Sequence, residues 1–184
     1  MRIYRAVIAV AVLAAALPSL ALAQVESTPI PAPKKPNFSS MSYLVGTWTC
    51  TTKSSRRPAA YVTTSNYTMD PSGWWINETS TTNPTKWIPV KLTTTDKITY
   101  DADTHRWADI TNGPQNGYAL AFSSGWNGDQ MSWHDVSFAP TADIKSQTDN
   151  VVTKVSNTKT TLSSSFTEGG TGRVVSVSGV CTKH

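Results

Sequence analysis

The chain has 184 residues, 39% of them hydrophobic and 15% charged, and its formal net charge is +4. The basic residues form isolated pairs, Lys34-Lys35 and Arg56-Arg57, not a stripe, so no nucleic-acid footprint is present and the pairs read as solvated surface. Two cysteines and three histidines leave little material for a metal site.

Residues 1–23, MRIYRAVIAVAVLAAALPSLALA, have the order of a secretory signal peptide. Arg2 and Arg5 form the basic start, 6–17 the apolar run and Ala21-Leu22-Ala23 the small-residue cleavage site. The run is shorter than the roughly 20 residues a spanning helix needs, and Pro18 interrupts it. No cysteine sits at the cleavage point to carry a lipid, so no membrane anchor is expected. The expected product, cut near Ala23, is secreted or periplasmic. Removing 23 residues from 184 leaves 161, enough for one domain, and the charge falls to +2 because two of the 16 basic residues leave with the signal.

Residues 24–38 begin QVESTPIPAPKKPN, with four prolines and no periodicity, and read as a flexible arm. The domain proper is expected over 39–184. A single helical turn within 38–44, N-capped by Ser39 or Ser40, leads into it. Beyond Val45 the sequence becomes short runs of Thr, Val, Tyr, Trp and Ser, with turn residues about every ten positions, an all-β pattern. Ten strands are predicted, at 45–53, 61–69, 74–81, 90–100, 105–111, 117–124, 130–138, 150–156, 160–167 and 173–182. Asp70-Pro71-Ser72-Gly73, Asp101-Ala102-Asp103-Thr104, Asn127-Gly128 and the run from Glu168 to Gly172 are compact turn signals, so successive strands should be antiparallel.

Two cysteines in an exported chain point to one disulfide, with two free structural thiols as the alternative. Cys50 falls in the first strand and Cys181 in the last. A bridge needs their Cα atoms within about 7 Å, so it would make those strands neighbours and close the sheet into a barrel. Period-two alternation puts Gly46, Trp48 and Cys50 on one face, and Val175, Val177, Gly179 and Cys181 on one face.

The segments YLVGTWTC, ITYDADTHRW, SSGWNGDQMSW and GVCTK occur in this order over residues 40–183. Together they resemble a secreted bacterial lipocalin-like family of unknown function whose first strand reads Leu-x-Gly-Thr-Trp. The stretch TNGPQNG at 111–117 departs from the Gly/Tyr-rich sequence expected there. The resemblance implies a small antiparallel, calycin-type barrel with a central cavity, and it implies no reaction. Nitrobindin-type barrels begin similarly and hold haem through a histidine. Here there are only His105, His134 and His184, and His134 has the parity opposite to Trp133. No cofactor or metal is expected.

Candidate binding residues come from aromatic-x-polar pairs on strands running the same way: Trp48-x-Cys50, Trp75-x-Asn77, Trp107-x-Asp109, Trp133-x-Asp135 and Phe166-x-Glu168. If these face inward, the aromatics form a belt and the polar groups lie above it, with Tyr118, Leu120 and Phe122 as apolar wall. Trp74 competes with Trp75 for the inward place. Trp87 and Trp126 fall in or beside loops. Asp109 and Asp135 flank one intervening strand, about 10 Å apart. As a pair they suggest acid/base chemistry, with salt-bridging or solvation at the rim as the plainer account. No Gly-x-Ser-x-Gly elbow or triad accompanies them. Asp101-x-Asp103-x-His105 fails the calcium-loop pattern, since Arg106 and Asn112 occupy the glycine and glutamate places.

The expected function is therefore binding of a small apolar or amphipathic molecule, not catalysis. A filled, ligand-free barrel acting as an interaction module is the alternative, and a hydrolase-type enzyme using Asp109 or Asp135 is a third reading. Ligand identity, oligomeric state and the open end of the barrel are left undetermined by sequence.

Overall fold

The computed structural model describes residues 32–114, 117–138 and 144–184, so the expected signal peptide and most of the arm lie outside the described residues. Over 34–184 the chain forms one compact unit. One 3-10 turn, Ser42–Leu44, precedes β1 (Gly46–Ser54), β2 (Tyr61–Met69), β3 (Ile76–Thr82), β4 (Leu92–Asp101) and β5 (Arg106–Asn112). There follow β6 (Tyr118–Ser123), β7 (Trp126–Asn127), β8 (Gln130–Phe138), β9 (Ile144–Gln147), β10 (Asn150–Ser156), β11 (Lys159–Glu168) and β12 (Val174–Lys183).

Pairing runs β10-β11-β12-β1-β2-β3-β4-β5-β6-β8, and β8 pairs back to β10. All of these ladders are antiparallel, so the expected all-β closed barrel of ten strands forms. The two further strands are broken-off pieces of neighbours. β7 continues β6 along β8 after a break at Gly125, where φ is +99°, and β9 precedes β10 along β11. Sequence periodicity registers neither piece, because two to four residues carry no alternation.

The turn chemistry works largely as expected. Asp70 Oδ1 accepts the Ser72 amide at 2.9 Å, and Gly73 takes the left-handed position with φ +72°. Asp101 accepts from the Asp103 amide, but His105 supplies that turn's positive φ, +53°, a feature no sequence signal marked. In the β7–β8 hairpin the central residues are Gly128 and Asp129, with positive φ at Gly128 alone, which is the II′ sign pattern and not an Asn-Gly I′ turn.

The seam holds as expected: Cys50 and Cys181 sit directly opposite each other in the β1–β12 ladder and are disulfide-bonded. Gly46 beside the seam has φ +129°, and a Cβ there would stand 2.7 Å from Lys183 Cε. That lysine crosses the spot to donate to the Tyr43 carbonyl at 2.9 Å.

The segment before β1 differs from its expected form. The 3-10 turn is N-capped by Met41 without a side-chain hydrogen bond, so neither Ser39 nor Ser40 caps it. Asn37 Oδ1 instead accepts the Ser39 amide at 3.0 Å, and Ser42 Oγ donates to the Ser39 carbonyl. The turn is held by burial: Phe38, placed at the end of the arm, is buried, as are Met41 and Tyr43. Together they plug the barrel end at which β1 starts. Trp48 Nε1 donates to the Leu44 carbonyl at 2.6 Å, tying plug to wall. At the other end Glu168, nearly inaccessible, receives Arg56 at 3.0 Å and Arg173 at 3.1 Å, so Arg56 is an ion-pair partner and not free surface.

The outward face is mostly Thr, Lys and Asn, exposed for example at Thr47, Thr51, Lys53, Thr64, Asn66, Thr93, Thr95 and Lys97. That is not the apolar outer band of a membrane barrel. No helix among the described residues is long and apolar enough to cross a membrane.

The disulfide closes 131 residues of sequence, for which loop entropy allows up to about 5 kcal/mol. The Cys50→Ala/Cys181→Ala double variant is expected to lose a large part of that in denaturant titrations. An unchanged midpoint would mean that strand pairing alone holds the barrel shut.

Candidate functional site

Inside the barrel lies a cavity of about 390 Å³. Its closed end is aromatic. Tyr43 meets Trp48 edge-on at 6.1 Å and Trp126 at 5.8 Å, while Phe38 packs on Trp107 at 5.6 Å and Tyr100 on Trp107 at 5.3 Å. Met41 and Met131, each almost fully buried, fill between these rings. Trp48, Trp126 and Trp133 line the chamber, and Trp107 supports the floor from beneath within the same apolar cluster.

Above this floor the wall turns acidic. Strand register sets one tier: Tyr67 on β2 lies opposite Glu78 on β3, Glu78 opposite Asp96 on β4, and Asp96 opposite Thr111 on β5. A second tier runs from Ile98 to Asp109 to Ala121 to Asp135 across β4, β5, β6 and β8. Ala121 is small, so the two aspartates flank open space. The bulge at Val136, between the Leu120–Ser137 and Ala121–Asp135 pairs, fixes Asp135 in this tier.

The donors offered to these acids are neutral. Ser80 and Tyr67 hydroxyls bond Glu78, the Thr111 hydroxyl bonds Asp96, and the Asn150 and Gln147 amides bond Asp135. Asp109 Oδ1 is buried with no hydrogen-bond partner. None of the four acids joins an ion pair among the described residues.

Removing carboxylates from water disfavours their charged form, and like neighbours add to the cost. Burial, then the charge of Glu78, raises Asp96 to about 7 despite the Thr111 bond. Burial pushes Asp109 well above the carboxylate range, with Asp96, Glu78 and Asp135 adding to it. Asp135 is raised by burial too, with the Asn150 bond pulling the other way. The Tyr67 hydroxyl is likewise pushed well up, first by burial and then by Glu78.

Of the residues expected at the site, Trp48, Asp109, Trp133 and Asp135 line the cavity, with Cys50 and Cys181 in its wall. Neither Asp109 nor Asp135 joins a salt bridge among the described residues; Asp109 is buried away from the rim, and Asp135 is half-buried. Trp107 faces the core below. Trp75 does not join the belt: β3 begins at Ile76, which takes the inward place that Trp74 and Trp75 were expected to contest. Tyr118, Leu120 and Phe122 are not wall. On β6 the buried positions are Ala121 and Ser123, Tyr118 is exposed, and the Arg106 guanidinium stacks 4.0 Å over Phe122. Phe166 pairs with Val175 near the end of β11, away from the aromatic floor. His134 points out, bonded to Asp149.

Trp126, expected in or beside a loop where it would cap an end or pack outside, lies on β7 and lines the cavity. Sequence reasoning passed over Tyr43, Tyr67, Glu78 and Asp96. A signal for the last two existed. Ile76-x-Glu78 and Asp96-x-Ile98 each set an acid on the face of a core aliphatic, but a search for aromatic-x-polar pairs does not register them. No group of three or more His, Cys, Asp or Glu among the described residues is placed to hold a metal ion. A scan against protein-family models and a search of curated proteins both return no match.

Because the fold favours protonated Asp96, its stabilising contribution is complete below about pH 4 and is lost as pH rises through about 7. Asp96→Asn keeps a neutral group there. Its melting temperature relative to wild type should therefore be higher at about pH 8 than at about pH 5, by at least about 2–4 °C, the shift for each ~1 kcal/mol in a domain of this size. An equal difference at both pH values would contradict the raised carboxyl.

Proposed function

We propose that the chain is an exported, lipocalin-like binding protein that takes a small amphipathic molecule into its barrel. The observation that carries this reading is the chamber itself. Ten strands enclose about 390 Å³ over an aromatic floor, with a few convergent polar groups above it. That combination of enclosure, apolar surface and sparse polar anchors is what small-molecule sites generally require. A barrel serving only as an interaction module would gain stability by filling this space with side chains. Export is supported by the signal-like first 23 residues and by the disulfide, which persists in oxidising compartments.

One observation favours catalysis as a second reading: Asp109 and Asp135 face each other across Ala121. Turnover in a hydrolase screen that vanishes in Asp135→Asn is what that reading requires.

The neutral naphthalene dye prodan, titrated into the exported protein, should quench emission from Trp48, Trp126 and Trp133. Ala121→Phe, which fills the space between the two aspartates, should weaken the dye by at least about tenfold with an unchanged circular dichroism spectrum. A flat titration with prodan, and with a panel of small amphiphiles, would overturn the binding reading.

A further inference from the structure

We propose that the molecule held in this barrel is an organic cation, its ammonium or amidinium head against Glu78, Asp109 and Asp135 and its apolar part on the tryptophan floor. The inference rests on the binding reading above and adds the charge of the ligand.

Among the described residues, three carboxyl residues line the chamber and no Lys, Arg or His does. A wall of one sign with low-dielectric surroundings concentrates molecules of the opposite sign. The orphaned Asp109 Oδ1 adds an independent pointer. It is a buried acceptor with no donor among the described residues, on a residue that lines the cavity. Buried acceptors are normally satisfied, so a donor on the occupant that reaches the Asp109 carboxyl would meet an unmet need. A purely apolar occupant would leave it unmet, and a carboxylate would add a further like charge to the wall.

The floor suits the same head. Tryptophan and tyrosine faces attract cations, and Tyr43, Trp48, Tyr61, Tyr67, Trp126 and Trp133 all border the space. Lysine ammoniums already exploit this chemistry at the plugged end, where Lys154 Nζ stands 4.4 Å from the Tyr43 ring and Lys183 Nζ 5.9 Å from the Trp48 ring. Neither lysine pairs with the acids, and none of the acids joins an ion pair among the described residues. A bare metal ion is the poorer occupant, because no three acidic, His or Cys groups among the described residues converge on one point.

Protonation sharpens the expectation. The groups facing the head are Tyr67 from β2, Glu78 from β3, Asp109 and Thr111 from β5, Asp135 from β8 and Asn150 from β10, with Asp96 on β4 directly opposite Glu78. The two lysines stand at the closed end. Asp96 is raised to about 7, and burial raises Asp109 and Asp135 as well, so a cation entering the site competes with protons. An alkylammonium stays charged across this range. Its affinity should therefore climb between about pH 5 and about pH 8 as the carboxyls ionise, and that of a neutral analogue should not.

The test uses three probes that share one phenyl tail: phenethylamine, phenethyl alcohol and hydrocinnamate, titrated by calorimetry into the disulfide-bonded wild-type protein. The amine should bind at least about tenfold more tightly than the alcohol at neutral pH, and hydrocinnamate should be the weakest. Asp109→Asn should shrink the amine's advantage over the alcohol to within about threefold. The wild-type pH profile tests the same charge preference without any variant. An alcohol that matches the amine at every pH would overturn the cation while leaving the binding reading intact. Silence from all three probes, together with a flat prodan titration, would overturn both.

Discussion

The antiparallel pairing of β1 with β12, sealed by Cys50–Cys181, is the constraint on which the rest depends. A meander of ten strands left open would have two exposed edges, and its inner face would be one side of a sheet instead of the wall of a chamber. Closure brings Trp48, beside the seam, within reach of the plug that precedes it in sequence. Trp48 then bonds the Leu44 carbonyl, Tyr43 packs on Trp48 and Trp126, and Lys183 crosses the glycine gap to hold the Tyr43 carbonyl. The β1–β12 seam thus both closes the barrel and adjoins the plug at one end of its cavity.

Within that enclosure two opposed environments are stacked. Below, aromatic rings and methionines pack closely. Above, four acids lie in two register tiers with neutral donors alone, and Glu78 stands directly opposite Asp96. Like charges opposite one another in a ladder destabilise it, so this arrangement costs stability in the empty protein. The cost is partly relieved by holding protons, which is why burial and mutual repulsion raise Asp96 and Asp109. A core built for stability alone would place Ser or Thr at these positions. The expense is intelligible if the acids are there to meet something.

The sequence made the closure legible because two cysteines at the extremes of an alternating chain admit few geometries, and the parity around each was unambiguous. Trp107-x-Asp109 and Trp133-x-Asp135 were legible for the same reason, since Trp and Asp two apart on a strand must share a face. Parity failed on β6, where the larger residues Tyr118, Leu120 and Phe122 point outward and Ala121 and Ser123 inward. The inward face of β6 packs in one cluster with Trp107, Trp133 and Met131 from other strands, a tertiary fact that local hydrophobicity does not encode. Trp75 failed because the loop after Asp70 runs two residues further than its turn signal suggested, delivering Ile76 to the core. The plug was illegible as well. Phe38, Met41 and Tyr43 form no strand or helix pattern, and what they cover is assembled from strands spread along the whole domain.

The central claim is that the barrel holds an aromatic-floored, acid-walled space for a cationic amphiphile. A crystal structure of the protein grown with phenethylamine tests it most directly. The ring should be seated against Trp48, Trp126 and Trp133, with the ammonium nitrogen within hydrogen-bond reach of the Asp109 carboxyl. A barrel whose interior is filled by its own side chains, with the amine absent or bound outside, would contradict it.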